Sequence, residues 1–228
     1  MKTLILGDLH FPFHNKKALK EVVYAIKHER PSNVVQIGDL FDQYSFSRFT
    51  RKNIILPQQE LKESRDLAKK LWSDVKKAVP RASLYQILGN HDLRLIKRAE
   101  ERLPEAQDLI KESLIELYRF NGVKTIEDDR DILKIGRVAF HHGYLSRLGD
   151  HMRYLGQSTV VGHSHTGGAV YQQYHGRIIF ELNAGYLADE TAEPLRYRPT
   201  NTSKWTLGYG LVTHGKKTDS AQFIPLGE

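Results

Sequence analysis

The chain contains no cysteine. Disulfide staples and thiolate zinc sites are therefore excluded, and the absence suits a reducing compartment such as the cytoplasm. Long apolar runs are missing as well. Nothing approaches the ~20 consecutive apolar residues of a membrane span. The run from Thr3 to Leu6, just before Gly7 and Asp8, is too short for a secretory signal. A soluble cytoplasmic protein with no membrane partner is the expectation. Methionine and tryptophan are scarce, at two each, yet nine phenylalanines, eleven tyrosines and 40% hydrophobic residues overall are enough for a core, which argues against disorder. No repeat, low-complexity tract or linker breaks the 228 residues, so one domain over residues 1–228 is expected. The net charge of +7 favours anionic partners such as phosphates or nucleic acid, although many ordinary soluble proteins share it.

What is present is patterned. Short apolar runs at Lys2–Leu6, Asn33–Ile37 and Ser83–Leu88 each end in a glycine followed by Asp or Asn, and they read as buried strands running into loops. Between them lie two amphipathic helices. One starts at an Asn15 cap and runs to about Glu29 with Ala18, Leu19, Val22, Val23 and Ile26 on one stripe. The other spans Gln58 to Val79 with Leu61, Ala68, Leu71, Trp72 and Val75 inward and Lys62, Arg65, Lys69, Lys70, Lys76 and Lys77 on a solvated face. Strands alternating with helices predict an α/β fold with parallel pairing. Asp92 to Tyr118 reads as two helices broken near Pro104.

The character then changes to short strands at Val123–Ile126, Asp131–Ile135, Val138–His141, Thr159–Val161, Ala169–Tyr174 and Ile178–Leu182. Hairpin turns at Gly136-Arg137 and His175-Gly176 suggest a largely antiparallel second sheet. Tyr186 to Lys204 reads as a long polar loop, followed by a strand at Trp205–Val212 with Gln222–Ile224 as its pairing partner.

The polar residues are placed where strands stop. Asp8 and His10, Asp39, Asn90 and His91, His142, and His163 and His165 each follow an apolar strand beside a glycine. In α/β sheets, ligands collect beyond the carboxyl ends of the strands. The glycines Gly7, Gly38, Gly89, Gly143 and Gly162 are expected to make the tight turns there. Asp8-x-His10 and His163-x-His165 have alternate spacing, which lets both members of an extended pair face one site. One catalytic zinc needs three protein ligands, and more candidates than that are on hand. A pair of divalent ions roughly 3.5–4 Å apart, bridged by the two oxygens of a carboxylate such as Asp39, fits the set better.

In these residues the chain resembles the calcineurin-like metallophosphoesterase family. The matching segments are Asp8-Leu9-His10, Gly38-Asp39-Leu40-Phe41-Asp42, Gly89-Asn90-His91-Asp92, His142-Gly143 and Gly162-His163-Ser164-His165, in the family's order. The resemblance implies an α/β fold in four layers, a two-sheet β-sandwich flanked by helices, with the metal site at one sheet edge. It implies that Asp8, His10 and His165 hold the first metal, that Asn90, His142 and His163 hold the second, and that Asp39 bridges. His91 would contact the phosphate and protonate the leaving oxygen or stabilise the transition state, and Asp92 would orient His91. His142 is preferred to His141 because the family places its histidine directly before the glycine. The implied nucleophile is a hydroxide between the metals. Manganese is the expected ion, with iron, zinc and nickel as alternatives.

Blander readings stand beside these. Singly, Asp8 and Asp39 would serve as helix caps, and His10 and His91 would be surface or core histidines. Asp42 reads as loop structure or a support for a ligand. His14, His28, His151, His175 and His214 match no pattern and read as ordinary. Arg48, Arg51 and Lys52, interleaved with Phe46 and Phe49, either grip a nucleotide or nucleic acid strand or belong to a loop whose aromatics anchor it to the core. Substrate contacts are expected from Asn90, His91, Arg48 and Arg94. Charge and this loop favour a phosphodiesterase acting on nucleotide or nucleic acid. A phosphomonoesterase and a non-catalytic scaffold of the same fold are the alternatives.

Overall fold

The computed structural model describes residues 1–48, 54–196 and 204–227. The features expected at Phe49, Arg51 and Lys52 and in the middle of the 186–204 loop lie outside the described residues.

The first half alternates as expected: β1 (Lys2–Leu6), α1 (Lys16–Glu29), β2 (Asn33–Gln36), α2 (Pro57–Ala78), β3 (Ser83–Ile87), α3 (Arg94–Arg102), α4 (Gln107–Ile115) and β4 (Val123–Ile126). The Asn15 side chain accepts from the backbone N–H groups of Lys17 and Ala18 at 3.1 and 3.0 Å and so starts α1. Pro57 occupies the first turn of α2, where its missing N–H costs nothing. The second half supplies β5 (Leu133–Ile135), β6 (Val138–Phe140), α5 (Asp150–Leu155), β7 (Thr159–Val161), β8 (Gly168–Tyr174), β9 (Arg177–Asn183), β10 (Gly208–His214) and β11 (Asp219–Pro225).

Two mixed sheets result, ordered β11-β10-β1-β2-β3-β4 and β5-β6-β7-β9-β8. In the first, β1 to β4 are parallel and β10 and β11 add antiparallel. The second sheet corrects the antiparallel expectation, because β6, β7 and β9 run parallel at its centre and only the edge strands β5 and β8 reverse. The reason is α5, which carries the chain from β6 back to the start of β7 as a crossover.

The period-2 alternation of the strands sorts the core into layers. Ile5, Val35, Ile37, Ile87 and Val212 face Phe140, Val160, Phe180 and Leu182 across the sandwich. Leu4, Leu6, Val34 and Leu84 face the other way, onto Val22 and Ile26 of α1 and Leu71, Trp72 and Val75 of α2. The short α5 covers part of the second sheet's outer face with a buried Met152. Each fully buried aliphatic or phenylalanine side chain contributes roughly 1.5–3 kcal/mol, so both interlayer seams hold the strand ends rigidly. No helix of the described residues is long and apolar enough to cross a membrane.

Candidate metal centre

The loops leaving β1 and β2 continue to pair after the sheet ends. Leu9 and His10 both donate their N–H to the Asp39 carbonyl at 3.1 and 2.9 Å, Phe11 donates to Leu40, and Asp42 donates back to Phe11. This ladder sets His10 beside Asp39. Backbone φ is positive at His10 (51°), Asp39 (52°), His163 (66°) and His165 (59°), a left-handed conformation uncommon for residues other than glycine. Strain of this kind concentrates at functional sites, where packing holds it in place.

The expected ligands converge on two groups. Asp8, His10, Asp39 and His165 bring four donor atoms within 4.8 Å of one another, and Asp39, His142 and His163 form a second such group. In the first, His10 Nε2 lies 3.1 Å from His165 Nε2, which lies 3.0 Å from Asp8 Oδ2. In the second, Asn90 Oδ1 stands 3.0 Å from His142 Nε2 and 2.9 Å from His163 Nδ1. Asp39 is common to both groups. Its Oδ1 accepts the His91 N–H at 2.8 Å, which leaves Oδ2 alone to face His142 Nε2 at 3.3 Å and His10 Nε2 at 3.9 Å. Asp39 thus faces ligand candidates of both groups.

The donor set fits cations. Both Asp8 carboxylate oxygens are buried and, among the described residues, meet no donor apart from His165 Nε2 beside Oδ2, and His165 Nδ1 has no partner among the same residues. A buried carboxylate without donors is costly by several kcal/mol, and a cation offsets that cost. Burial opposes charge on His142, yet the Asp39 carboxylate lifts it to about 10. Burial likewise opposes ionisation of Asp39, but His142 and His91 hold it well below the usual carboxylate range. A site that binds a proton this firmly between acid and base offers the same negative potential to a metal ion.

Asp42 is the residue whose weight the sequence reading understated. His10 Nδ1 donates to Asp42 Oδ2 at 2.8 Å, and His91 Nδ1 lies 3.4 Å from the same oxygen. Its signal was its place within the second matching segment. Asp92, by contrast, does not orient His91. Its carboxylate accepts three backbone N–H groups, from Gly89 at 2.9 Å, Leu40 at 3.2 Å and Phe41 at 2.8 Å. The β2 and β3 loops are pinned together by it. Burial lifts Asp92 to about 7, and the neighbouring Asp39 charge adds to this against the three donors. His91 Nε2 receives an Arg94 N–H at 2.8 Å, and burial keeps its imidazole below the usual range.

The glycines act more by absence of a side chain than by turn geometry. Only Gly38 (φ 114°) and Gly143 (φ 99°) of the five need a glycine conformation. At Gly162 a Cβ would meet Asp8 Oδ1 at 2.5 Å, so the bare backbone makes room for a ligand. His141 points away from the clusters, and burial, with the His151 and His142 charges, lowers it to about 4. His151 lies buried between β9 and the 143–145 loop: Glu181 is 3.5 Å from its Nδ1, and its Nε2 accepts the Tyr144 and Leu145 N–H groups. His14 and His151 are buried, His28 and His175 exposed, and His214 partly buried.

Three hollows meet at Asn90. The central one, about 520 Å³, holds Asp39, His91, His163, His165 and Trp205. Trp205 reaches it because Thr206 N–H donates to the His165 carbonyl at 2.9 Å, and its ring meets His165 edge-on at 4.4 Å. Past Arg94 opens a basic hollow of about 330 Å³ with Arg48, Lys97 and Arg98. Arg48 is paired with Glu101 there. Past His163 opens a hollow of about 700 Å³ lined by Tyr144, Tyr154, Ile132 and Leu155.

The fold and this edge of ligands place the chain in a known class. It belongs to the calcineurin-like phosphoesterase family, which matches residues 1–189. Two phage proteins are similar along almost their whole length. Both are called Gene 54 protein. That of Mycobacterium phage D29 is 25% identical over 241 residues, covering 99% of this chain and 93% of its relative. That of Mycobacterium phage L5 is 23% identical over the same span. Among solved structures, Yfce, a phosphoesterase from E. coli, aligns with a TM-score of 0.46 at 16% identity, covering 93% of this chain and 88% of that one. Vps29 of Chaetomium thermophilum aligns at 0.49 and 12% identity, covering 98% and 97%.

Proposed function

We propose that the chain is a two-metal phosphodiesterase acting on a nucleotide or nucleic acid ester. The observation that carries the metal-dependent part is Asp8: among the described residues its two buried oxygens meet no donor apart from His165 Nε2, 3.0 Å from Oδ2. Two divalent cations, one per cluster, would polarise the phosphoryl oxygens and supply a hydroxide nucleophile near neutral pH. Asp8, His10 and His165 would hold one, Asn90, His142 and His163 the other, with Asp39 shared between them.

The remaining work falls to His91 and Arg94. Arg94 caps His91 Nε2 while Asp42 fixes the opposite side of the ring. An arriving phosphate would draw the guanidinium to its own oxygens and free Nε2. The same negative charge would raise the imidazole, so that Nε2 can carry a proton to the leaving ester oxygen. Asn90 and Arg94 then position the phosphate. Hollows opening in two directions, past Arg94 and past His163, support a diester, which carries an organic group on each side.

The test strips the protein of metal, reloads it with manganese and compares bis-p-nitrophenyl phosphate with p-nitrophenyl phosphate. Manganese-dependent release from the diester, lost in Asp39→Asn and reduced at least 100-fold in His91→Ala, is the expected result. Turnover of the monoester alone would make the protein a phosphomonoesterase. Silence with manganese, iron, zinc and nickel alike, in a folded protein, would end the enzymatic reading.

A further inference from the structure

Apart from Asn90 and His163, the 700 Å³ hollow past His163 is built of groups that the ester chemistry does not use. Tyr144 and Tyr154 are 55% and 75% exposed and Ile132 is 40% exposed, all in the lining of one cavity. The two tyrosine rings stand edge to face, with centroids 6.5 Å apart at 88°. A flat ring laid on one tyrosine would meet the edge of the other, the arrangement aromatic pairs favour.

The hollow is not an isolated dent. It shares Asn90 and His163 with the central hollow of the metal centre, so a group bonded to a phosphate at the clusters reaches it without crossing a wall. Its volume lies within the ~300–1,000 Å³ usual for small-molecule sites. His141 forms part of its lining, and His141 Nε2 finds no hydrogen-bond partner among the described residues. Arg130 stands at the same lining.

The hollow's aromatic wall is also held in place. His151 Nε2 accepts the N–H groups of Tyr144 and Leu145 at 3.1 and 3.0 Å. Glu181 in turn accepts from Gly149 at 2.8 Å and Met152 at 2.9 Å. Tyr144 is thus presented to solvent on a loop that a buried pair fixes, which is a positioned surface and not a frayed one.

We infer that this hollow receives the heteroaromatic base of a nucleotide ester, stacked on Tyr144 or Tyr154, while its phosphate lies at the metal clusters. Stacking accepts any base, because every base has a π-face. The substrate is therefore a nucleotide or an unpaired nucleotide end and not a continuous duplex, whose bases are already stacked. This rests on the esterase reading above for the position of the phosphate.

The experiment measures equilibrium binding of AMP and of ribose 5-phosphate to the manganese-loaded protein, beside Tyr144→Ala and Tyr154→Ala. Ribose 5-phosphate carries an anomeric hydroxyl where AMP carries its base. AMP is expected to bind about tenfold more tightly, and at least one of the two variants to lose most of that advantage while still taking up manganese. Tyr154 is the safer cut, since it is mostly solvent-exposed. Equal affinity for the two ligands, or an AMP advantage that survives in both variants, would overturn the base site. A protein that hydrolyses the diester yet shows no AMP preference would lose this inference and keep the esterase reading. One that prefers AMP in a tyrosine-dependent way but turns over no diester would keep the base site and lose the catalysis.

Discussion

Asp42 Oδ2 accepts the His10 Nδ1 proton at 2.8 Å while His91 Nδ1 stands 3.4 Å from the same oxygen. One carboxylate thereby orients a candidate metal ligand and the candidate proton donor. Burial alone would raise Asp42, yet the two imidazoles hold it well below the usual carboxylate range. Asp42→Asn keeps the shape and removes the charge. Loss of such a supporting partner typically costs 10–100-fold in metal affinity. Manganese titration by calorimetry should show a fall of about that size with the fold intact. Unchanged affinity would mean that His10 needs no support from Asp42.

Asp92 carries the opposite expectation. Its carboxylate satisfies Gly89, Leu40 and Phe41 N–H groups and touches neither metal cluster. In Asp92→Asn, the amide NH2 must face at least one backbone N–H that had an acceptor. A buried donor left unsatisfied costs about 1–3 kcal/mol. Thermal unfolding should drop accordingly, while manganese affinity should stay within a few-fold of the parent. A variant of normal stability with abolished turnover would return Asp92 to the chemistry.

These two residues mark the limit of what the sequence made legible. All seven ligand candidates land in the two groups, because each follows a parallel strand and the sheet edge does the gathering. Helix α1 was readable from its Asn15 cap and its stripe. The role of Asp92 was not, since it depends on β2 and β3 being neighbours, a fact about pairing and not about spacing. The parallel centre of the second sheet was hidden for a similar reason: α5 is six residues long and leaves little helical pattern. His151 looked ordinary because its partner Glu181 sits thirty residues away on β9. Trp205 reaches the site only through a tail that crosses His165.

Glu181 gives a pH-dependent prediction. Burial raises it, but His151 and the N–H groups of Gly149 and Met152 outweigh burial and leave it below its usual value of 4.5. A carboxylate depressed in the folded state contributes stability that is fully present above the unfolded value and lost as pH falls through the folded one. Glu181→Gln should therefore unfold at lower temperature than the parent at pH 7. The gap should close as pH drops below about 4.5. Melting curves of both proteins from pH 7 to pH 3 would show it. A gap that is constant across that range would assign the effect to packing rather than charge.

Metal loading should stabilise the folded chain, and Gly162 decides how much. Asp8 and Asp39 lie in one buried group with His10 and His165, so a cation relieves repulsion that the empty ligand set retains. A ligand at 100 times its dissociation constant adds about 2.7 kcal/mol, which for a domain of this size is on the order of 5–10 °C in melting temperature. Removing manganese with a chelator should reverse the shift. In Gly162→Ala the new Cβ would sit 2.5 Å from Asp8 Oδ1 and 2.9 Å from Ile37 Cγ2. Gly162 does not adopt a left-handed φ, so alanine's backbone is tolerated and the clash falls on Asp8 and Ile37. The variant should fold but gain little or nothing from manganese. If it kept the full shift, Asp8 would not be holding the ion.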